Sequence, residues 1–196
     1  MNNKLYIIGV AGTNGSGKDT VGHILADKHG YFFISVTELL RAEALKRGLE
    51  PGRKHLREIS AEWRRQSGQL GVLVDKAVAG YEKTKSQYAG VAIASLRNPG
   101  EADRVHALGG TMVWVDADPR VRYERIQANA TSRDRAAEDK KTFEQFQSEE
   151  AAEMNHTGDA ATLNMSAVKD RCDLFLQNDS DDLEVFKAHI KEALGL

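Results

Sequence analysis

The sequence predicts an α/β fold in three layers, with a five-stranded parallel sheet between two layers of helices. Three observations carry that expectation. Five short apolar runs recur along the chain: "KLYIIGV" (4–10), "YFFISV" (31–36), "VAIASL" (91–96), "TMVWVDA" (111–117) and "CDLFLQN" (172–178). They are nearly continuous in Val, Ile, Phe and Tyr rather than alternating, as in strands covered on both faces. The stretches between them have helical spacing, and strands alternating with helices specify a parallel sheet. A glycine-rich turn, "GVAGTNGSGKDTVG" (9–22), closes the first run, and ligands of such sheets gather at the carboxyl ends of strands.

Taken in order, the first run leads through the turn into a helix carrying Val21, Ile24 and Leu25. Between the second and third runs, residues from about 37 to 86 read as almost entirely helical. Leu56, Ile59 and Trp63 fall at i, i+3 and i+7, and Leu70, Leu73, Val74, Ala77 and Val78 form a second stripe. A helix begins near Pro119 and leads into the polar stretch "ANATSRDRAAEDKK" (128–141). Phe143, Phe146 and Met154 mark a further helix, and Leu183, Phe186 and Ile190 a last one. The stretches 37–86 and 128–141 exceed a minimal sheet-and-helix core and read as small elements perched over a site. A length of 196 residues fits a single domain spanning 1–196.

Composition narrows the function classes. Hydrophobic residues make up 41% and charged residues 29%, an ordinary balance for a soluble protein with a core. The net charge of −2 argues against a nucleic-acid or membrane-surface partner. No apolar run approaches the roughly 20 residues of a membrane span. The N-terminal run reads as a strand rather than a signal peptide, and one cysteine, Cys172, rules out an internal disulfide. The expected setting is reducing and cytoplasmic.

The turn has the spacing G-x-x-x-x-G-K, from Gly12 to Gly17 and Lys18. Phosphate oxygens need several backbone N–H donors converging on one point. Glycines permit that tight wrap, and the following helix adds its positive end. Lys18 then reaches the β- and γ-phosphates. Gly12, Asn14, Gly15, Ser16, Gly17, Lys18, Asp19 and Thr20 are therefore the expected nucleotide-phosphate contacts of a P-loop. The dinucleotide pattern G-x-G-x-x-G fails because "GSGKDT" ends in Thr20. The residue after the lysine ordinarily gives Mg²⁺ a hydroxyl. Asp19 offers a carboxylate, which would hold the metal directly or through water, act as a base, or merely favour the positive end of the helix.

"SGKDT" resembles the P-loop nucleoside-monophosphate-kinase-like superfamily, in particular its deoxynucleoside monophosphate kinases, adenylate-kinase-like enzymes and dephospho-CoA-kinase-like enzymes. "LRAEALKRGLEPGRKHLREI", "IASLRNPGEADRV", "VDADPRVRYERI" and "DLFLQNDSDDLE" extend the likeness over nearly the whole chain. The resemblance implies ATP as phosphoryl donor, Mg²⁺ held at Asp19, and small-molecule nucleotide substrates. It makes 37–86 the acceptor-binding insert, with Arg41 the match to an acceptor arginine. It makes 128–141 a short lid closing through Arg133 and Arg135, with Arg122 and Arg125 as alternatives.

Charge supports that reading. Residues 41–65 hold eight basic side chains against four acidic ones, in a chain that is net negative. Moving a phosphoryl group between two anions requires such offsetting charge. Lys46, Arg47 and Lys54 read as solvated helix faces. Arg97 follows the third strand, where ligands lie, and related kinases grip the acceptor phosphate with an arginine there. Lys18, Asp19, Arg97, Arg133 and Arg135 are thus the expected catalytic set, with Arg41 and Arg97 binding the acceptor. One departure stands out: many relatives end the third strand with Asp, and this chain has Ala94 and Ser95. Asp116 and Asp118 are weaker substitutes, and Asp118 before Pro119 is equally a helix N-cap. The expected activity is phosphoryl transfer to a nucleoside or deoxynucleoside monophosphate. The alternatives are dephospho-CoA as acceptor, or a nucleotide-binding ATPase or regulatory module without one.

Overall fold

The computed structural model describes residues 7–129, 141–154 and 158–196. Among them, strands and helices alternate: β1 (Ile7–Gly12), α1 (Lys18–His29), β2 (Tyr31–Ser35), α2 (Val36–Lys46), α3 (Arg53–Ser67), α4 (Val72–Glu82), β3 (Gly90–Ala94), α5 (Pro99–Ala107), β4 (Thr111–Asp116), α6 (Pro119–Ala128), α7 (Phe143–Met154), α8 (Met165–Lys169), β5 (Leu174–Gln177) and α9 (Leu183–Leu194). The five strands form one parallel sheet in the order β2-β3-β1-β4-β5. The chain leaves β1 for β2, returns to β3 beside β1, and then crosses to β4 on the other flank. The carboxyl end of β1 is therefore the topological switch point, where a ligand crevice opens.

Strand residues alternate between two apolar layers, which is why their sequences read as continuously hydrophobic. Ile7, Ala11, Val91, Ile93, Met112 and Trp114 face one layer, packed with Leu73, Val74 and Ala77 of α4 and Val105 of α5. Ile8, Val10, Ala92, Ala94, Val113 and Val115 face the other, packed with Val21 and Leu25 of α1 and Phe186 and Ile190 of α9. Each large side chain so buried contributes roughly 1.5–3 kcal/mol.

Two expectations shift by a few residues. The third apolar run was expected to continue to Leu96, but β3 ends at Ala94 because Ser95 turns to φ 68. Leu70 precedes α4 rather than lying on its stripe. The turn after β3 is held from below. Asn98 caps α5, its side chain accepting from Gly100 N, while Glu101 Oε2 accepts from Arg97 N at 2.7 Å and Asn98 N at 3.0 Å. Glu101 is fully buried, and its other oxygen accepts from Arg64 Nη2 at 2.6 Å. Asn98 Nδ2 and Arg64 Nη1 also donate to carbonyls of the segment 160–162. This buried polar network joins α3, α5 and that segment into one wall.

Candidate functional site

Between β1 and α1 the chain wraps as its glycines allow. Gly12 has φ 150, and a Cβ there would lie 2.1 Å from the Val115 carbonyl oxygen, so a side chain is excluded by the neighbouring strand. Gly17 has φ 92 and is the N-cap of α1, with no side chain capping the first turn. The opening amides of α1 thus keep the arrangement that binds phosphate. Lys18 is buried, and its Nζ donates to Thr13 O at 3.3 Å across the loop. Ser16 Oγ donates to the same carbonyl at 2.9 Å.

The loop is braced from two sides. Thr13 Oγ1 donates to Asp116 Oδ1 at 2.7 Å, and Asp116 also accepts from Ala117 N at 2.9 Å and Trp114 Nε1 at 3.3 Å. Its carboxylate is thereby committed to protein donors. Asn178, on the turn after β5, donates from Nδ2 to Ser16 O at 2.9 Å. Asp118 caps α6 by accepting from Arg120 N and Val121 N.

The two larger cavities lined by this loop lie on its two sides. A cleft of about 370 Å³ is lined by Gly15, Gly17, Lys18, Asp19 and Thr20, with Arg125, Asn178 and Phe186 opposite. A larger cavity of about 760 Å³ is lined by Asn14 and Ser95, by Val36, Leu40 and Arg41 of α2, by Arg57 and Arg64 of α3, and by Arg97 and Glu153. Adjacent loop residues, Asn14 and Gly15, thus line different cavities. Ser95 Oγ donates to Asp19 Oδ1 at 3.3 Å, joining the two sides.

Asp19 fits a hard cation. It is exposed beside the loop, its Oδ1 accepts from a single hydroxyl, and an ionised carboxylate has about four lone-pair positions. No group of three or more His, Cys, Asp or Glu side chains suited to a metal occurs among the described residues. Mg²⁺ is held by one or two carboxylates plus substrate phosphates and waters, so a single carboxylate beside a phosphate loop is a donor of the right kind. Thr20 lines the same cleft.

The predicted acceptor arginines converge on the larger cavity. Arg41 is largely buried on α2; its Nε lies 3.5 Å from Glu38 and is enclosed without a hydrogen-bond acceptor. Arg97 reaches the cavity from the β3–α5 turn, and its Nη1 donates to Glu153 Oε2 at 2.9 Å. Of the alternatives, Arg122 is buried, paired with Glu150, and donates from Nε to Ala117 O at 2.8 Å. Arg125 donates to the carbonyls of Asn178 and Ser180, each at 2.7 Å, and walls the smaller cleft. Arg133 and Arg135 lie outside the described residues, as does the 128–141 stretch apart from its ends.

Sequence reasoning missed the acidic face of α7. Glu149 accepts from Arg53 Nη1 at 3.2 Å and Lys141 Nζ at 2.5 Å, and Glu153 accepts from Arg57 as well as Arg97. Burial opposes ionisation of Glu153, but Arg97, Arg57 and Arg53 together outweigh it and hold the carboxyl below its usual range. The i, i+4 spacing of Glu149 and Glu153 was the available signal. Cys172 packs as a small apolar group: Sγ donates to Val168 O, and burial pushes its thiol up to about 12.

A family model described as AAA domain matches residues 8–152. A UPF0200 protein of Hyperthermus butylicus is 30% identical over 195 residues, covering 96% of this chain and 93% of its own. The chain belongs to the AAA domain family, among the UPF0200 proteins. Within the P-loop proteins, a shikimate kinase of Gloeobacter violaceus is 32% identical over 123 residues, 63% of this chain and 61% of its own. The crystal structure of shikimate kinase from Bacteroides thetaiotaomicron superposes with a TM-score of 0.59 at 14% identity, over 98% of this chain and 99% of that one. This UPF0200 member therefore has the fold of the small P-loop kinases. No described helix is long and apolar enough to cross a membrane.

Proposed function

We propose that the protein transfers the γ-phosphoryl group of ATP to a small phosphorylated acceptor, with a nucleoside or deoxynucleoside monophosphate as first choice. The observation that carries this reading is the Ser95–Asp19 contact, because Asp19 lines the cleft beside the phosphate loop and Ser95 lines the larger, arginine-rich cavity. A donor phosphate on the loop and an acceptor in the larger cavity would meet there.

The roles of the chain's own residues follow. The loop amides from Gly12 to Thr20 and Lys18 hold the donor phosphates. Asp19 holds Mg²⁺, which when bound neutralises charge on the transferring group. Arg97 and Arg41 draw in the acceptor's anionic end, and Val36, Leu40 and Leu73 suit an apolar body such as a base. Catalysis here is positioning and charge stabilisation. By the family resemblance, Arg133 and Arg135 would supply further cations to the donor phosphates.

The deciding experiment is a coupled ADP-release assay across nucleoside monophosphates, deoxynucleoside monophosphates and dephospho-CoA, with shikimate and gluconate as unphosphorylated controls. Turnover that depends on a phosphorylated acceptor is expected, and Lys18→Ala abolishes it. Slow ADP release indifferent to every acceptor would replace this reading with that of an ATPase.

A further inference from the structure

Two arginines that a phosphorylated acceptor would meet in the larger cavity already hold an anion. Glu153 Oε2 accepts from Arg97 Nη1 at 2.9 Å and Glu153 Oε1 from Arg57 Nη2 at 2.5 Å. The three side chains come from separate parts of the fold: α3, the β3–α5 turn and the last turn of α7. The Glu153 side chain is 15% exposed, against 29% for Arg97 and 51% for Arg57, so both guanidinium groups stay accessible while the carboxylate is sunk between them.

We propose that Glu153 is a specificity-determining residue. Its carboxylate holds the place of the acceptor's anionic group, and an acceptor enters by displacing it. The inference rests on the phosphotransferase reading and narrows its substrate class. A phosphomonoester carries about −1.5 to −2 charge at neutral pH with three acceptor oxygens, so it binds two arginines better than a carboxylate does. A hydroxy acid offers one carboxylate for another, an even exchange. A neutral polyol offers less than the contact that it breaks. Glu153 therefore leaves phosphomonoesters able to bind and pushes carboxylate-bearing or neutral acceptors, which bind the arginines less strongly to begin with, below useful occupancy. The apparent affinity of every anion is reduced by the fraction of molecules in which Glu153 has let go.

The test is a calorimetric titration of the full chain, with its phosphate loop filled by a non-hydrolysable ATP analogue and Mg²⁺. Inorganic phosphate and acetate serve as probes. Glu153→Gln is expected to tighten phosphate by about tenfold, the gain when a site open about one time in ten becomes always open. Acetate should gain by about the same factor, so that a carboxylate too weak to register on the unaltered protein comes into measurable range. Adding Arg97→Ala should cancel both gains. Glu153→Asp, too short to span both arginines, should move phosphate binding in the same direction and guards against a fold defect in the glutamine variant. Unchanged or weaker phosphate binding in both variants, each still folded and unfolding cooperatively above the titration temperature, would overturn the proposal. These titrations do not require turnover. A failed ADP-release assay with the expected titrations removes the phosphotransferase reading alone. Monophosphate-dependent turnover with flat titrations removes the role of Glu153 alone.

Discussion

Ser95 reaches Asp19 from a backbone conformation that glycine ordinarily takes. Its φ of 68 is the positive value held by a non-glycine residue among those described, and its side chain is almost fully buried. From there Oγ donates to Asp19 Oδ1 at 3.3 Å. A left-handed L-residue costs roughly 1–2 kcal/mol, and such strain persists where surrounding structure over-determines it. The site therefore has a hydroxyl at the third strand's end, aimed at the carboxylate of the phosphate loop.

Ser95→Gly separates strain from positioning. Glycine removes the αL cost and the hydroxyl together, so the melting temperature should hold or rise. Apparent Mg²⁺ affinity should fall by about tenfold or more, as when a group orienting a metal ligand is lost. The two readouts are a thermal melt and a metal titration followed by nucleotide fluorescence. If stability falls and metal affinity does not, Ser95 is a structural residue only.

Asp19→Asn removes the metal's charge partner and keeps the shape. We expect a loss of Mg²⁺ affinity larger than that of Ser95→Gly, more than about tenfold, with metal-free nucleotide binding little changed. Metal titrations that superimpose on those of the unaltered protein would exclude the metal role.

The Arg64–Glu101 pair governs the wall behind Arg97. Both side chains are buried, and Glu101 also receives the Arg97 and Asn98 amides. Arg64→Ala leaves that carboxylate buried with one partner fewer and should cost about 3–5 kcal/mol in urea unfolding. A loss below about 1 kcal/mol would mean that water replaces the guanidinium without penalty.

Glu153 predicts a pH dependence with a definite sign. Its folded-state pKa lies below the ordinary 4.5, so its contribution to stability is complete above that value and is lost as pH falls through the folded one. At pH 7 Glu153→Gln should be less stable than the unaltered protein by about 1–2 kcal/mol. That gap should close as pH falls well below 4.5, where both side chains are neutral. Denaturant midpoints at the two pH values measure it, and a pH-independent gap would contradict the pairing.

Much of the fold was legible because its causes are local. A strand buried on both faces must be continuously apolar, a helix repeats its stripe every few residues, and a chain that wraps a phosphate needs glycine at Gly12 and Gly17. Those constraints act on neighbouring residues, so the sequence by itself determined the parallel sheet, the phosphate loop and the concentration of arginines near the second strand. The tertiary structure decided which charged groups meet. Arg97 and Glu153 lie 56 residues apart, and Asp19 and Ser95 lie 76 apart. Ala94 faces the core and the next residue turns over to Asp19, a consequence of the φ at Ser95 that no periodicity records. Long side chains pair according to where the fold brings them. For that reason the occupant of the acceptor arginines, Glu153, emerges only once α7 is laid against α3 and the end of β3.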